Sequence, residues 1–182
     1  MTKNLSIGIL GTGFSSVHVA RLGQLENVVV TAVCGRSLEK AQAFNQRMGL
    51  INAKAYGDFD EMLEHSQLDA LYICLPPHAH HGQEAKAAQR GIHLFLEKPI
   101  AYDLQQAEEI VDAIEKAGIV SQVGYQMRFL KVVQAVKALP DTGRPTLFEG
   151  RYWVNFVGPS WWSDKASSNG QVFEQVTHIY DI

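Results

Sequence analysis

The chain has 182 residues, 46% of them hydrophobic and 19% charged, with 16 basic against 19 acidic side chains and a net charge of −3. That length buries a sizeable core, and that composition excludes the disordered and fibrous classes. The charge balance leaves no electrostatic footprint for nucleic acid or an anionic membrane, and no apolar run approaches membrane-spanning length. Two cysteines, Cys34 and Cys74, make neither a disulfide framework nor a zinc ligand set. With no signal-peptide pattern at the start, the expected location is the cytoplasm.

In chain order, "LSIGIL" (5–10) reads as a strand, followed by a helix over about 14–25. "VVVTAVC" (28–34) is a β-branched strand, and Ser37 is a plausible N-cap for the helix after it. A short strand over 53–56 precedes a helix over 59–65, introduced by Asp58, another capping residue. "ALYICL" (70–75) and "IHLFL" (92–96) are continuous apolar strands separated by a helix over about 80–90. Asp103 caps a helix running to about 116, and 119–123 is the last strand of the series. Strands alternating with helices of this length predict βαβ units and a doubly wound parallel sheet, covered on both faces, over residues 1–123.

The pattern changes after Gly124. A helix over about 129–139 leads to the turn-rich "LPDTGRP", and 146–157 partly alternates, as a strand exposed on one face does. A Trp-rich loop and a helix from about 171 follow. One strand cannot form a sheet alone. Residues 124–182 are therefore expected to be the first portion of a larger domain, the other reading being a small domain completed by another copy of the chain.

"GILGTGFSSVH" sets Gly11, Thr12, Gly13, Phe14 and Ser15 between the first strand and the first helix. Gly11 permits the tight turn, and Gly13 lets the backbone approach a pyrophosphate at a helix N-terminus. Ser16 stands at the third glycine position and is small enough for close packing. This placement predicts a dinucleotide site. The second strand ends in "VCGRS", without the acid that accepts from the ribose 2′-OH in an NAD site. Gly35 is expected to leave room for a 2′-phosphate, with Arg36 and Ser37 donating to it. NADP is the expected preference, with NAD as the alternative.

"CLPPHAHH" (74–81) breaks after a strand into prolines and histidines, and Leu75, Pro76 and His80 are expected against the cofactor. The spacing of His78, His80 and His81 gives no helical face for a metal, and none is expected. "FLEKPIA" ends the next strand on Glu97, Lys98 and Pro99, since a proline cannot continue a sheet ladder. A turn this tight is compatible with a cis Lys98–Pro99 bond.

Gly11-Thr12-Gly13, "LPPHAH", Glu97-Lys98-Pro99, "VGYQMRF" (123–129) and "NGQVFEQVTHIYD" (169–181) together resemble the Gfo/Idh/MocA family of NAD(P)-dependent sugar and polyol oxidoreductases. The resemblance implies a Rossmann domain and a second α/β domain with a large open sheet, inside which this sequence would be truncated. It also implies that Lys98 bonds the substrate hydroxyl and that Glu97 lies beside the cofactor ribose. His178 would be the acid/base, with Glu174 one turn earlier on the same helix face. Gln126 would touch the cofactor, and Tyr125, Arg128 and Trp161 the substrate. The implied partner is a sugar, inositol or related polyol, in a homo-oligomer of the full-length relatives. Two other classes compete: a nucleotide-binding fragment or sensor without turnover, and a Rossmann-fold methyltransferase, against which the Glu-Lys-Pro stretch and His178 argue.

Overall fold

A computed structural model describes residues 4–140, 147–153 and 160–182. The chain separates into two compact units, Met1–Val123 and Gly124–Ile182. In the first unit, β1 (Leu5–Leu10), β2 (Val28–Cys34), β3 (Lys54–Tyr56), β4 (Ala70–Ile73), β5 (His93–Leu96) and β6 (Ser121–Val123) form one sheet. Every pairing is parallel and the order is β3-β2-β1-β4-β5-β6. This is the dinucleotide-binding order of the doubly wound fold, with its switch point between β1 and β4.

Side chains alternate along each strand, so the sheet carries two cores. Ile7, Ile9 and Val33 pack with Val19, Leu22, Ala41 and Phe44 from α1 (Ser15–Leu22) and α2 (Leu38–Met48). Leu10, Leu71, Ile73, Leu94 and Leu96 form the other core with Met62, Ala87 and Ile110. Those three come from α3 (Phe59–His65), α4 (Gln83–Gln89) and α5 (Leu104–Ala117).

The caps are local and hold as expected. Ser37 Oγ accepts from Lys40 N, Asp58 Oδ1 from Glu61 N at 2.8 Å, and Asp103 Oδ1 from Gln106 N at 2.8 Å. Each satisfies a first-turn N–H that has no carbonyl within its helix. The expected helix over 80–90 begins later, because Pro77–Ala79 turns as a 3₁₀ helix and Gly82, at φ 87°, breaks the chain before Gln83.

The second unit holds a 3₁₀ turn (Gln126–Phe129), α6 (Lys131–Lys137), a second 3₁₀ turn (Ser160–Trp162) and α7 (Lys165–Ser168). A π-helical turn (Val172–Val176) then runs into α8 (Thr177–Asp181). The strand expected over 146–157 is not formed where it is described: residues 147–153 are irregular, and Leu147 and Trp153 are each 85% exposed. Alternation supplies only half of what a strand needs. The other half is a neighbouring strand, and the second unit has none among the described residues. Residues 146 and 154–157 lie outside the described residues.

Candidate active site

Parallel register brings four strand ends to one edge of the first unit. Leu10 pairs with Cys34 and Ile73, and Ile73 pairs with Leu96. The residues just beyond continue the ladder, with Gly11 N donating to Cys34 O at 2.9 Å and Glu97 N to Ile73 O at 2.9 Å. The glycine loop, the turn at Gly35, the Leu75–Pro76 segment and the Glu-Lys-Pro turn therefore leave the sheet side by side.

Gly11 sits at φ 96°, and a Cβ there would come closer than 3.0 Å to the Cys74 carbonyl oxygen. Only glycine fits both the conformation and the approach to β4. A Cβ on Gly13, by contrast, would meet no protein atom within 4 Å. The loop is locked by Ser15, fully buried, whose hydroxyl donates to Gly11 O at 2.6 Å. Ser15 thus shapes the turn with its side chain. Phe14, 58% exposed, stands at the head of α1. A dinucleotide fits this cradle: open above Gly13, closed beneath Gly11, and facing a helix N-terminus. Gly11, Thr12, Gly13, Phe14 and Ser15 would hold its pyrophosphate.

The turn after β2 differs in detail from expectation. Gly35 is buried, and a Cβ on it would stand 3.0 Å from Ala41 N and 3.2 Å from Thr12 Cγ2. It lets α2 pack closely on the glycine loop. Ser37 caps α2, and its hydroxyl also meets Glu39, whose carboxylate is held below the usual range by that hydrogen bond. Arg36 is exposed. A second guanidinium, not singled out by its sequence context, reaches the glycine loop: Arg47 Nη2 donates to Thr12 O at 3.5 Å.

Leu75 and Pro76 are half-buried at the rim, but His80 is not. Its side chain and that of Glu84 are fully buried, with Nδ1 to Oε1 at 2.5 Å. Nε2 faces Leu75 O at 3.4 Å, and His80 O accepts from Gln106 Nε2 at 2.9 Å. His80 therefore braces the Leu75–Pro76 segment from behind instead of touching a ligand. Glu84 was invisible to the sequence reading because a glutamate on a helix is normally solvated.

At the end of β5, Glu97 is 9% exposed and Lys98 half-buried, and the Lys98–Pro99 peptide is cis. Both Glu97 carboxylate oxygens are engaged by the protein. Oε1 accepts from His18 Nε2 at 2.7 Å and Oε2 from the Lys98 backbone N–H at 3.0 Å. His18, on α1, was not singled out by its sequence context.

Buried thiols complete this edge. Burial, followed by the charges of Asp58 and Glu61, pushes the Cys34 thiol up to about 11. Burial, followed by the charge of Glu97, pushes Cys74 up still further. Neither is a nucleophile at neutral pH.

The second unit gathers its own candidates. Glu174 and His178 are 5% and 3% exposed, on the π turn and on α8. The His178 ring stacks on Tyr152 at 5.9 Å and meets Tyr125 edge-on at 6.0 Å. Tyr125 Oη bonds Thr177 Oγ1 at 2.8 Å. Arg128 forks onto Asp181, with Nε to Oδ2 at 2.7 Å and Nη2 to Oδ1. Its role in this geometry is to pin the first turn of the unit to the last helix. Gln126 is exposed, and Trp161 packs edge-on against Trp162. Among the described residues, no group of three or more His, Cys, Asp or Glu side chains could hold a metal, and no helix is long and apolar enough to cross a membrane.

Comparison with known proteins follows the same lines. The model of an oxidoreductase family with an NAD-binding Rossmann fold matches residues 5–125. An inositol 2-dehydrogenase/D-chiro-inositol 3-dehydrogenase of Lactiplantibacillus plantarum is 31% identical over 182 residues, 97% of this chain and 50% of the relative. The uncharacterized oxidoreductase YrbE of Bacillus subtilis is 28% identical, over 79% of this chain and 42% of its own length. Among solved structures, scyllo-inositol dehydrogenase from Lactobacillus casei with bound NAD(H) and scyllo-inositol superposes with a TM-score of 0.67. It is 26% identical, over 74% of this chain and 40% of that one. The WlbA dehydrogenase from Bordetella pertussis, in complex with NADH and UDP-GlcNAcA, gives 0.68 at 28% identity, over 74% and 41%. The chain thus spans about half the length of these relatives, or less.

Proposed function

This chain belongs to the Gfo/Idh/MocA family of oxidoreductases, and from that premise we propose that it serves hydride transfer between NADP(H) or NAD(H) and a secondary alcohol. The substrate class is a sugar, inositol or related polyol. The observation that carries the reading is the glycine cradle beside the Glu-Lys-Pro turn on one sheet edge, with Gly13 open and Gly11 closed. When bound, the nicotinamide nucleotide supplies the hydride chemistry.

The chain's own residues have these assignments. The loop from Gly11 to Ser15 holds the pyrophosphate through the backbone N–H groups that follow Gly11, whose own N–H is bonded to Cys34 O, and Leu75 and Pro76 line the rim. The Lys98 ammonium bonds the substrate oxygen and stabilises the negative charge that develops there as the alcohol is oxidised. His178, from the second unit, accepts the hydroxyl proton through its imidazole, with Glu174 buried nearby in sequence. Tyr125 and Trp161 are the substrate contacts of that unit. The methyltransferase reading is set aside by the family match, which covers the glycine loop and the Glu-Lys-Pro turn together.

For the nucleotide, NADP is the proposed preference. It rests on the missing acid after β2 and on exposed Arg36, since Gly35 and Ser37 are committed to packing and capping. Calorimetric titration with NADPH and then NADH tests both levels of the proposal. Tighter NADPH binding, abolished in Arg36→Glu, is expected. Equal or tighter NADH binding would remove the NADP preference and keep the dinucleotide site. No binding of either nucleotide would sink the site itself.

A further inference from the structure

The carboxylate of Glu97 sits between two donors that belong to different parts of the site. One is the imidazole of His18, in the first half of the helix that the glycine loop opens into; the other is the backbone N–H of Lys98. We propose that His18 is a positioning residue for Lys98, acting through Glu97, so that the dinucleotide-binding helix and the lysine turn are held as one body. This rests on the dehydrogenase reading of Lys98.

The geometry is specific. An ionised carboxylate only accepts, so the 2.7 Å contact fixes the proton of His18 on Nε2. Its ring is oriented by packing: Phe95 edge-on at 4.8 Å, Tyr72 at 5.5 Å and Phe14 edge-on at 5.7 Å. Tyr72 and Phe95 are themselves stacked at 4.5 Å across β4 and β5. The His18 and Glu97 side chains are 18% and 11% exposed, so water competes weakly for the bond. Bonds to a charged acceptor are the shorter and stronger kind, and they direct the atoms they hold. With both Glu97 oxygens occupied by protein donors, the first service of this carboxylate is to set the Lys98 backbone. A shift of α1 on binding a pyrophosphate would be felt at Lys98 through this one bridge.

The test compares His18→Leu, which fills the space but removes the donor, with His18→Gln, whose amide N–H restores it. The readout is the acylation rate of each lysine in the nucleotide-free chain, followed by mass spectrometry with acetic anhydride at low conversion. Calorimetric NADH affinity is measured in parallel. We expect the Lys98 rate to change at least threefold in His18→Leu and to stay within twofold in His18→Gln, while the other lysines keep their wild-type rates. An unchanged Lys98 rate in His18→Leu would overturn the proposal. So would equal changes at Lys40, Lys86 and Lys116, which report general loosening. A wild-type chain that binds no NADH would count against the dehydrogenase reading alone, because the labelling experiment needs no nucleotide.

Discussion

Gly11 and Gly13 are two residues apart, yet the structure demands glycine only at Gly11, while at Gly13 the demand comes from the proposed pyrophosphate, and alanine substitutions separate the two. Gly11→Ala places a Cβ at φ 96° and within 3.0 Å of a backbone oxygen that has no rotamer to escape into. Left-handed backbone costs an L-residue about 1–2 kcal/mol, and overpacking against fixed atoms about 1–3 kcal/mol more. The total of roughly 2–5 kcal/mol corresponds to a fall of about 4–20 °C in the Tm of a chain this size. Gly13→Ala meets neither penalty, since Gly13 is outside the left-handed region and its Cβ would touch nothing within 4 Å. Its stability should hold, or rise by about 0.4–1 kcal/mol through the unfolded chain.

Nucleotide binding should fall in both variants, because the methyl of Gly13→Ala would stand where the proposed pyrophosphate approaches the backbone. A tenfold or greater rise in the NADH Kd, about 1.4 kcal/mol, is the expected size. Thermal unfolding by circular dichroism and calorimetric titration together give the two numbers for each variant. Gly13→Ala with wild-type affinity would refute the assignment of that backbone to the pyrophosphate. Gly11→Ala with an unchanged Tm would refute the close approach of the loop to β4.

His80→Ala leaves the Glu84 carboxylate buried without its imidazole and should cost about 3–5 kcal/mol, read as a Tm drop of about 6–20 °C without nucleotide. A Tm within 2 °C of wild type would refute the bracing role of the buried pair. Asp103→Ala removes the cap on Gln106 N and should cost about 1 kcal/mol, or about 2–4 °C; no shift would mean that the start of α5 is satisfied by other groups. Cys34 and Cys74 should resist iodoacetamide at pH 8 in the folded chain and react once urea unfolds it, as a mass shift reports. Their folded pKa values are raised, so the stabilisation is complete below the ordinary thiol value of 9.0 and is lost as pH climbs towards about 11. Urea midpoints that stay flat across that window would contradict the burial of both thiols.

What could be read from the sequence was what is decided locally. Continuous apolar runs located β1, β2, β4 and β5, because a parallel sheet buries both faces and leaves no polar alternation to confuse the pattern. Ser37, Asp58 and Asp103 were legible as caps because each bonds an N–H only three residues on. The start of α4 was misplaced by three residues, since the two prolines and the left-handed Gly82 define a turn that a helical pattern overruns. The strand expected over 146–157 is not formed over its described residues, 147–153, for the opposite reason. Its alternation is local, but a strand exists only with a partner that the pattern cannot supply.

The site divides along the same line. Gly11 announced itself because a left-handed turn pressed against β4 is a backbone demand that only glycine meets. The engagements of His80 and Arg128 did not, since Glu84 and Asp181 look like ordinary surface acids until burial and the closing of the second unit give them partners. His18 and Glu97 are 79 residues apart and meet only because α1 returns across the ends of β4 and β5. The opening of the Glu-Lys-Pro run therefore has a tertiary purpose. A glutamate ending a buried strand is tolerated there because two donors neutralise its cost, and those donors fix where the lysine after it must stand.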